Sequence, residues 1–256
     1  MTALRPFPSS GGRIEAAKRT LGAVHPPAKP ADRPLVTIVF LVFNRRDSLR
    51  ESLRRMLSES DYPSELVDAI VVDNASSDGS AEMVRAEFPD VQLIERDSNG
   101  GISGFNDGLA VAGGSWALAL DDDCYLPPDG LSGALAAAHE HDADLVSFKV
   151  VSTKDPSFVF TESYRTGLVT FWGCAVLMRR RVIEELRGYD PEIFVWANEL
   201  EFMLRFFDRG FCHLHLPEVA AQHMKAGPRA YAAPSEADWG RYLHNCRNFA
   251  YIAAKL

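Results

Sequence analysis

Four short apolar runs, each ending in polar residues, constrain this chain more than any other feature. The runs are Leu35–Phe43, Val67–Val72, Val91–Glu95 and Trp116–Cys124; the polar clusters fall at Asn44, Asp73, Asn99 and Asp121–Asp123. Short, mostly aliphatic and β-branched runs of this kind read as strands buried on both faces. The segments between them read as helices. Asp47 is a candidate N-cap for a helix with Leu49, Leu53, Met56 and Leu57 on one face. Ser80–Glu87 forms a second, and a third follows the Asn99–Gly108 loop and packs Leu109 and Val111. Strand and helix alternating four times in under about a hundred residues predict an α/β fold with a mostly parallel sheet and right-handed crossovers. In such sheets ligands bind outside the carboxyl ends of the strands, and all four polar clusters belong to that rim.

The fourth run carries the most chemistry. Three adjacent carboxylates are costly to place at a buried strand end for packing alone. In an extended segment Asp121 and Asp123 project together and Asp122 projects away. Two convergent carboxylates suit a hard divalent cation, magnesium or manganese. A solvated acidic turn into Pro127-Pro128-Asp129-Gly130 is the alternative that the residues alone leave open. Gly100, Gly101 and Gly104 do not follow the first strand, so they make no dinucleotide fingerprint.

The second half is less regular. Leu131–His141 reads as a helix with Leu131, Leu135 and Ala138 inward, and Asp144–Val151 as a strand. Phe158–Thr170 reads as an exposed strand or flap, Phe171–Met178 as an apolar run, and Arg181–Leu186 as a short helix stopped by Gly188. A further helix starts at Asn198-Glu199, with Leu200, Met203, Leu204 and Phe207 inward and Gly210 as its C′ residue. Glu199 and Glu201 in its first turn also suit the positive helix end. Trp239, Tyr242, Leu243, Cys246, Phe249 and Ala250 recur at helical spacing and predict a closing amphipathic helix.

The net charge of −8 lacks the basic footprint of a nucleic-acid binder. Cys124, Cys174, Cys212 and Cys246 form no CxxC pair, so neither a zinc cage nor a disulfide framework is expected and a reducing cytoplasm is the default. No run reaches the roughly 18–20 apolar residues of a membrane span, and the N-terminus lacks the apolar core of a signal peptide. Residues 1–33 are rich in Pro and basic residues. They read as a poorly ordered arm or, more sharply, as a tether for an anionic membrane surface or a neighbouring subunit.

With these motifs in view, residues Leu35 to Ala253 resemble a family-two glycosyltransferase of the GT-A fold. The motifs are the strand into Asn44-Arg45, Val71 through Ser80, Asn99-Gly100-Gly101 through Gly108, and Leu120-Asp121-Asp122-Asp123. Gly173, the Asn198-Glu199 helix start with Arg205, and Gly210 through His223 extend the match, and the glycine-rich motif most resembles the rhamnosyl- and galactofuranosyl-transferase branch.

The resemblance implies a Rossmann-like nucleotide-sugar-binding half over residues 34–125 and an acceptor-binding half with a C-terminal helix over 126–256. It implies that Phe43, Asn44, Asp73, Asn99, Gly100, Asp121 and Asp122 line the donor, with Asp73 reading the nucleobase. Asp121, Asp123 and His223 would hold the metal; Trp172, Gly173 and Trp196 would flank the acceptor. Glu199 would be the catalytic base, with Glu201 the runner-up, although the acidic pair of the family reads Asn198-Glu199 here. The implied activity is inverting, metal-dependent transfer of a hexose or deoxyhexose from a nucleoside diphosphate donor to a hydroxyl of a glycan or lipid-linked acceptor, in cell-wall or polysaccharide synthesis. Two alternatives stand beside it, a non-catalytic glycosyltransferase-like binding protein and a sugar-phosphate nucleotidyltransferase. The latter usually places a glycine-rich basic loop after its first strand, where Asn44-Arg45-Arg46-Asp47 has no glycine.

Overall fold

The computed structural model describes residues 33–160, 171–225 and 236–255, the side chains of 236–242 excepted. Most of the expected N-terminal arm and of the Phe158–Thr170 flap lies outside these residues.

One mixed eight-stranded sheet carries strands from both expected halves. β1 (Val36–Val42) is central, with β2 (Val67–Asp73) parallel on one side and β4 (Trp116–Asp121) parallel on the other. β3 (Gln92–Glu95) continues the parallel part beyond β2. β7 (Ala175–Arg179) then runs antiparallel to both β4 and β6 (Leu145–Ser152), and β8 (His213–His223) runs parallel to β6. The two-residue β5 (Cys124–Tyr125) pairs antiparallel with β8, giving the order β3-β2-β1-β4-β7-β6-β8-β5. β5 follows β4 after two residues in the chain yet sits at the far end of the sheet. The sheet therefore curls, and the turn at Asp122-Asp123 spans the gap between its centre and its edge.

Strand alternation sorts side chains into two cores, one on each face of the sheet. Ile38 and Phe40 of β1 join Leu118, Leu120, Phe148, Leu49 and Leu53 in one. Val39 joins Ala117, Ala119, Phe105, Leu109, Phe202 and Phe206 in the other. Each of these fully buried large side chains contributes about 1.5–3 kcal/mol. Seven α-helices occur among the described residues: α1 (Arg46–Ser58), α2 (Ser80–Glu87), α3 (Phe105–Val111), α4 (Gly130–Glu140), α5 (Arg180–Leu186), α6 (Asn198–Asp208) and α7 (Glu236–Lys255). None is long and apolar enough to cross a membrane.

Several expectations are corrected. Trp116–Cys124 is not one strand, because β4 ends at Asp121 and a turn carries Asp122 and Asp123. The cap of α1 is Arg45, which makes no side-chain capping bond; Asp47 lies inside the first turn, paired to Arg46 and Arg50. Val111 is exposed whereas Leu109 is buried. In α6 the buried apolar residues are Phe202, Met203 and Phe206, and Phe207 faces solvent. In α7 the expected inner residues Leu243 and Phe249 are exposed, while Asn248 and Ile252 are buried. Gly210 does adopt the left-handed C′ conformation, with φ 73°.

Candidate active site

The carboxyl ends of β1, β2 and β4 form the floor of the site. Asn44 leaves β1 with φ 53°, a left-handed geometry that Asn tolerates better than most residues. Its Oδ1 accepts from Ser77 N–H at 2.7 Å, and its own N–H donates to Ser76 Oγ at 3.0 Å. The loop after β1 is thereby tied to the loop after β2. Asp73, buried at the end of β2, accepts from Ser76 N–H at 3.0 Å and so holds its own turn. Phe43 is half-exposed above them, and its N–H donates to Asp122 at 3.4 Å.

Asn74, which sequence reasoning treated only as part of a motif, organises the glycine loop. Its amide nitrogen donates to Asn99 Oδ1 at 2.8 Å and to Gly101 O at 3.0 Å. Its oxygen accepts from Gly100 N–H at 3.1 Å and from Arg96 at 2.8 Å. All four hydrogen-bonding positions of this buried amide are therefore filled. Gly101 has φ 62°, and a Cβ there would lie 2.0 Å from Phe194 O, so the loop packs against the segment leading to α6 without room for a side chain.

Asp121, Asp123 and His223 converge: one ligand atom from each lies within 4.8 Å of the others. The convergence does not come from strand alternation, because Asp123 lies in the turn. It comes from β5, whose Cys124 is paired with His223 of β8. His223 Nε2 faces Asp123 Oδ1 at 3.0 Å, yet among the described residues that oxygen and both imidazole nitrogens have no aligned hydrogen-bond partner although buried. Buried polar atoms are rarely left so. Two carboxylates and an imidazole with orphaned atoms form a fitting donor set for a divalent ion of the magnesium or manganese type. Burial would raise the Asp123 carboxyl, but His223, Lys225 and Arg45 outweigh it and pull it down to about 2. Burial, then Asp123 and Asp121, push Asp122 up to about 8; burial and Asp123 also raise Asp121. Asp122 is not one of the three convergent groups; it accepts the Phe43 N–H instead.

Glu199 enters from α6. Trp196 and Ala197 before it both have φ 59°, a left-handed pair immediately ahead of the helix start. Gly173 lies directly against the carboxylate, since a Cβ there would be 2.4 Å from Glu199 Oε1. Burial pushes the Glu199 carboxyl up to about 7; Asp121 adds to the rise, while the backbone N–H groups of Glu199 and Gly173 oppose it. Glu201 faces elsewhere. It is 3% exposed and takes two bonds from Arg205, at 2.8 and 2.6 Å, and one from Lys255 at 2.8 Å. Trp172 packs against Phe160 at 5.5 Å and Trp196 lies 6.3 Å from the His244 ring. Three further residues carry no site signal of their own in the sequence: Arg45 and Lys225, both of which reach Asp123, and Asn248, which holds the Trp196 segment. Of these, Arg45 alone falls within one of the motifs, directly after Asn44.

This architecture is the GT-A glycosyltransferase fold. A mannosyltransferase from Pyrobaculum calidifontis, solved with GDP-Man and Mn2+, superposes with a TM-score of 0.65 over 86% of this chain and 65% of its own, at 24% identity. S. aureus TarS in complex with UDP-GlcNAc gives a TM-score of 0.61 over 80% of this chain and 63% of its own, at 18% identity. Residues 37–197 match Glycosyl transferase family 2, and the chain belongs to that family. Among curated relatives, glycosyltransferase AglE of Haloferax volcanii is 27% identical over 51% of this chain and 44% of its own length. An undecaprenyl-phosphate 4-deoxy-4-formamido-L-arabinose transferase of Edwardsiella ictaluri is 31% identical over 41% of this chain and 34% of its own. The chain thus spans less than half the length of these two relatives.

Proposed function

We propose that this chain transfers a sugar, with inversion, from a nucleoside diphosphate donor to a hydroxyl of a glycan or lipid-linked acceptor. The observation that carries the reading is the pairing of an Asp121–Asp123–His223 donor set with a half-buried Glu199 held near neutrality, its carboxylate against Gly173. Phe43, Asn44, Asp73, Asn99 and Gly100 line the nucleoside side, with Asp122 beneath them. A divalent ion held by Asp121, Asp123 and His223 would offset the charge that grows on the leaving diphosphate. Glu199 accepts the proton of the acceptor hydroxyl, whose oxygen bonds to the anomeric carbon on the face opposite the diphosphate. The carbon–oxygen bond to the diphosphate breaks, and that oxygen keeps the electron pair. Gly173 leaves the Glu199 carboxylate room to face the acceptor, and Trp172 and Trp196 border that side. The GDP-Man and UDP-GlcNAc complexes of the structural neighbours support a nucleotide-sugar donor, and the undecaprenyl-phosphate relative supports a lipid-linked acceptor.

The test is thermal. With Mn2+ present, a panel of UDP-, TDP- and GDP-sugars should contain one that raises the melting temperature, and Asp123→Ala should abolish that rise. A panel without any shift would remove the donor site. A shift without any transfer, over a panel of lipid-linked and oligosaccharide acceptors, would favour a binding-only protein.

A further inference from the structure

Two cations converge on the one carboxylate that the metal reading most needs. Arg45 Nη1 lies 2.5 Å from Asp123 Oδ2, and Lys225 Nζ lies 3.4 Å from the same oxygen. Arg45 Nε is also 3.9 Å from Asp122 Oδ1. The Asp123 side chain is 2% exposed, whereas those of Arg45 and Lys225 are 42% and 45% exposed. Both cations therefore reach inward from solvent to one buried oxygen, Arg45 from the turn between β1 and α1, Lys225 from just beyond β8. His223 faces the other oxygen, Oδ1.

A divalent ion on Asp123 would meet these two charges at close range. Like charges so placed repel, the more so next to a buried carboxylate. Ion and side-chain cations thus compete for the same carboxylate. A diphosphate removes the conflict, because it brings its own negative charge, and a guanidinium fork matches phosphate oxygens. No other acid is paired with Lys225 among the described residues.

We propose that Arg45 and Lys225 are exchangeable counter-cations of the donor site, competing with the divalent ion for Asp123 when donor is absent and pairing with the donor diphosphate when the ion is bound. The inference rests on the metal and donor reading given above. It makes ion and diphosphate mutually reinforcing ligands, since each frees the partner that the other needs. It also gives each cation opposite effects on the two ligands.

The experiment uses the full chain, stripped of metal by a chelator. Binding of Mn2+ alone is followed by the paramagnetic resonance of the free ion. Binding of UDP, GDP and inorganic pyrophosphate is then measured by calorimetry at saturating Mn2+. Arg45→Ala and Lys225→Ala should each tighten Mn2+ alone by about twofold to fivefold, the range of a part-exposed ion pair. The same variants should weaken whichever diphosphate wild type binds by about tenfold or more, as when a bond to a charged group is lost. Arg45→Lys keeps the charge and should stay near wild type in Mn2+ affinity. Both alanine variants should melt within about 2 °C of wild type, since the side chains are half-exposed. Mn2+ affinity that is unchanged or weaker in both variants overturns the exchange. Tighter Mn2+ with undiminished diphosphate binding overturns the diphosphate partner. Asp123→Asn separates the two levels: wild-type Mn2+ affinity in that variant would sink the ligand assignment itself, before any question about Arg45 or Lys225.

Discussion

Glu199 and Glu201 stand two residues apart on α6 and are put to different uses by their surroundings. Among the described residues Glu199 meets backbone donors alone, and it sits at about 7, so it can take a proton near neutral pH. Glu201 is already shared between Arg205 and Lys255. Glu199→Gln should keep fold and donor binding while transfer falls by about 10² to 10⁴. Glu201→Gln should instead lower stability by about 1.5–3 kcal/mol, the scale of a lost bond to a charged group, and retain transfer; denaturant melts and single-turnover assays on both variants read this directly. The sign of the pH dependence follows. A base at Glu199 would work only when ionised, so turnover with saturating donor should rise through about pH 7 and then level. Because its pKa is raised on folding, the unfolded chain binds fewer protons between about 4.5 and about 7, and stability falls with pH across that window. Glu199→Gln should remove both effects, and a profile flat from pH 5.5 to 8 in wild type would exclude Glu199 as the base. Gly173→Ala is the steric counterpart: its methyl would press on Glu199 Oε1, so transfer should drop with donor affinity unchanged.

At the scale of elements, the site depends on a segment that α7 holds in place. Asn248, buried on α7, donates to Val195 O and to Trp196 O, both at 2.8 Å. On the other side Ile102 N–H donates to Phe194 O at 2.8 Å. Trp196, the last of these anchored residues, and Ala197 just after it are each left-handed at a cost of about 1–2 kcal/mol. Asn248→Ala should let the pair relax, lowering turnover more than it changes the donor KM. Ala197→Gly should stabilise the fold by up to about 1 kcal/mol, because glycine carries no penalty at that φ; a loss of stability there would show that the Ala197 methyl packs usefully. The strands and their polar ends were legible beforehand, since β-branched runs stopping at Asn44, Asp73 and Asp121 admit few alternatives. The helix faces were less so. α6 carries Leu200, Phe202, Met203, Leu204, Phe206 and Phe207, enough apolar residues for two overlapping stripes; Phe171 and Tyr189 pack on Phe202, Phe211 packs on Phe206, and these neighbours select the buried face. In α7 the buried Asn248 is polar, so a search for an apolar stripe points to Leu243 and Phe249, the exposed side. The pairing of β5 with β8 was also beyond reach, because two residues carry no periodicity.

For the whole molecule, the curl of the sheet means that one ligand bound at this rim would couple parts far apart in strand order. β4 and β8 are separated by β7 and β6, yet Asp121 at the end of β4 and His223 at the end of β8 meet across the Asp122-Asp123 turn. Arg45 brings in the start of α1, and Asp73 the end of β2. A metal-bound nucleotide contacting these residues would bind only the folded arrangement, so its binding free energy adds to global stability. At a hundredfold excess over the dissociation constant the gain is about 2.7 kcal/mol, which for a domain of this size corresponds to roughly 5–10 °C in melting temperature. The gain should be shared. Amide exchange should slow at the ends of β2 and β4 and also along β5 and β8, which no parallel-sheet crossover joins to the nucleoside side. Asp123→Ala should abolish protection in both regions. Asp122→Ala should keep the protection at β8 and lose part of that near Phe43, the residue whose N–H it accepts. Protection confined to β1–β4 in wild type would mean that nucleotide binds without engaging His223, and the imidazole would then have to be dropped from the ligand set.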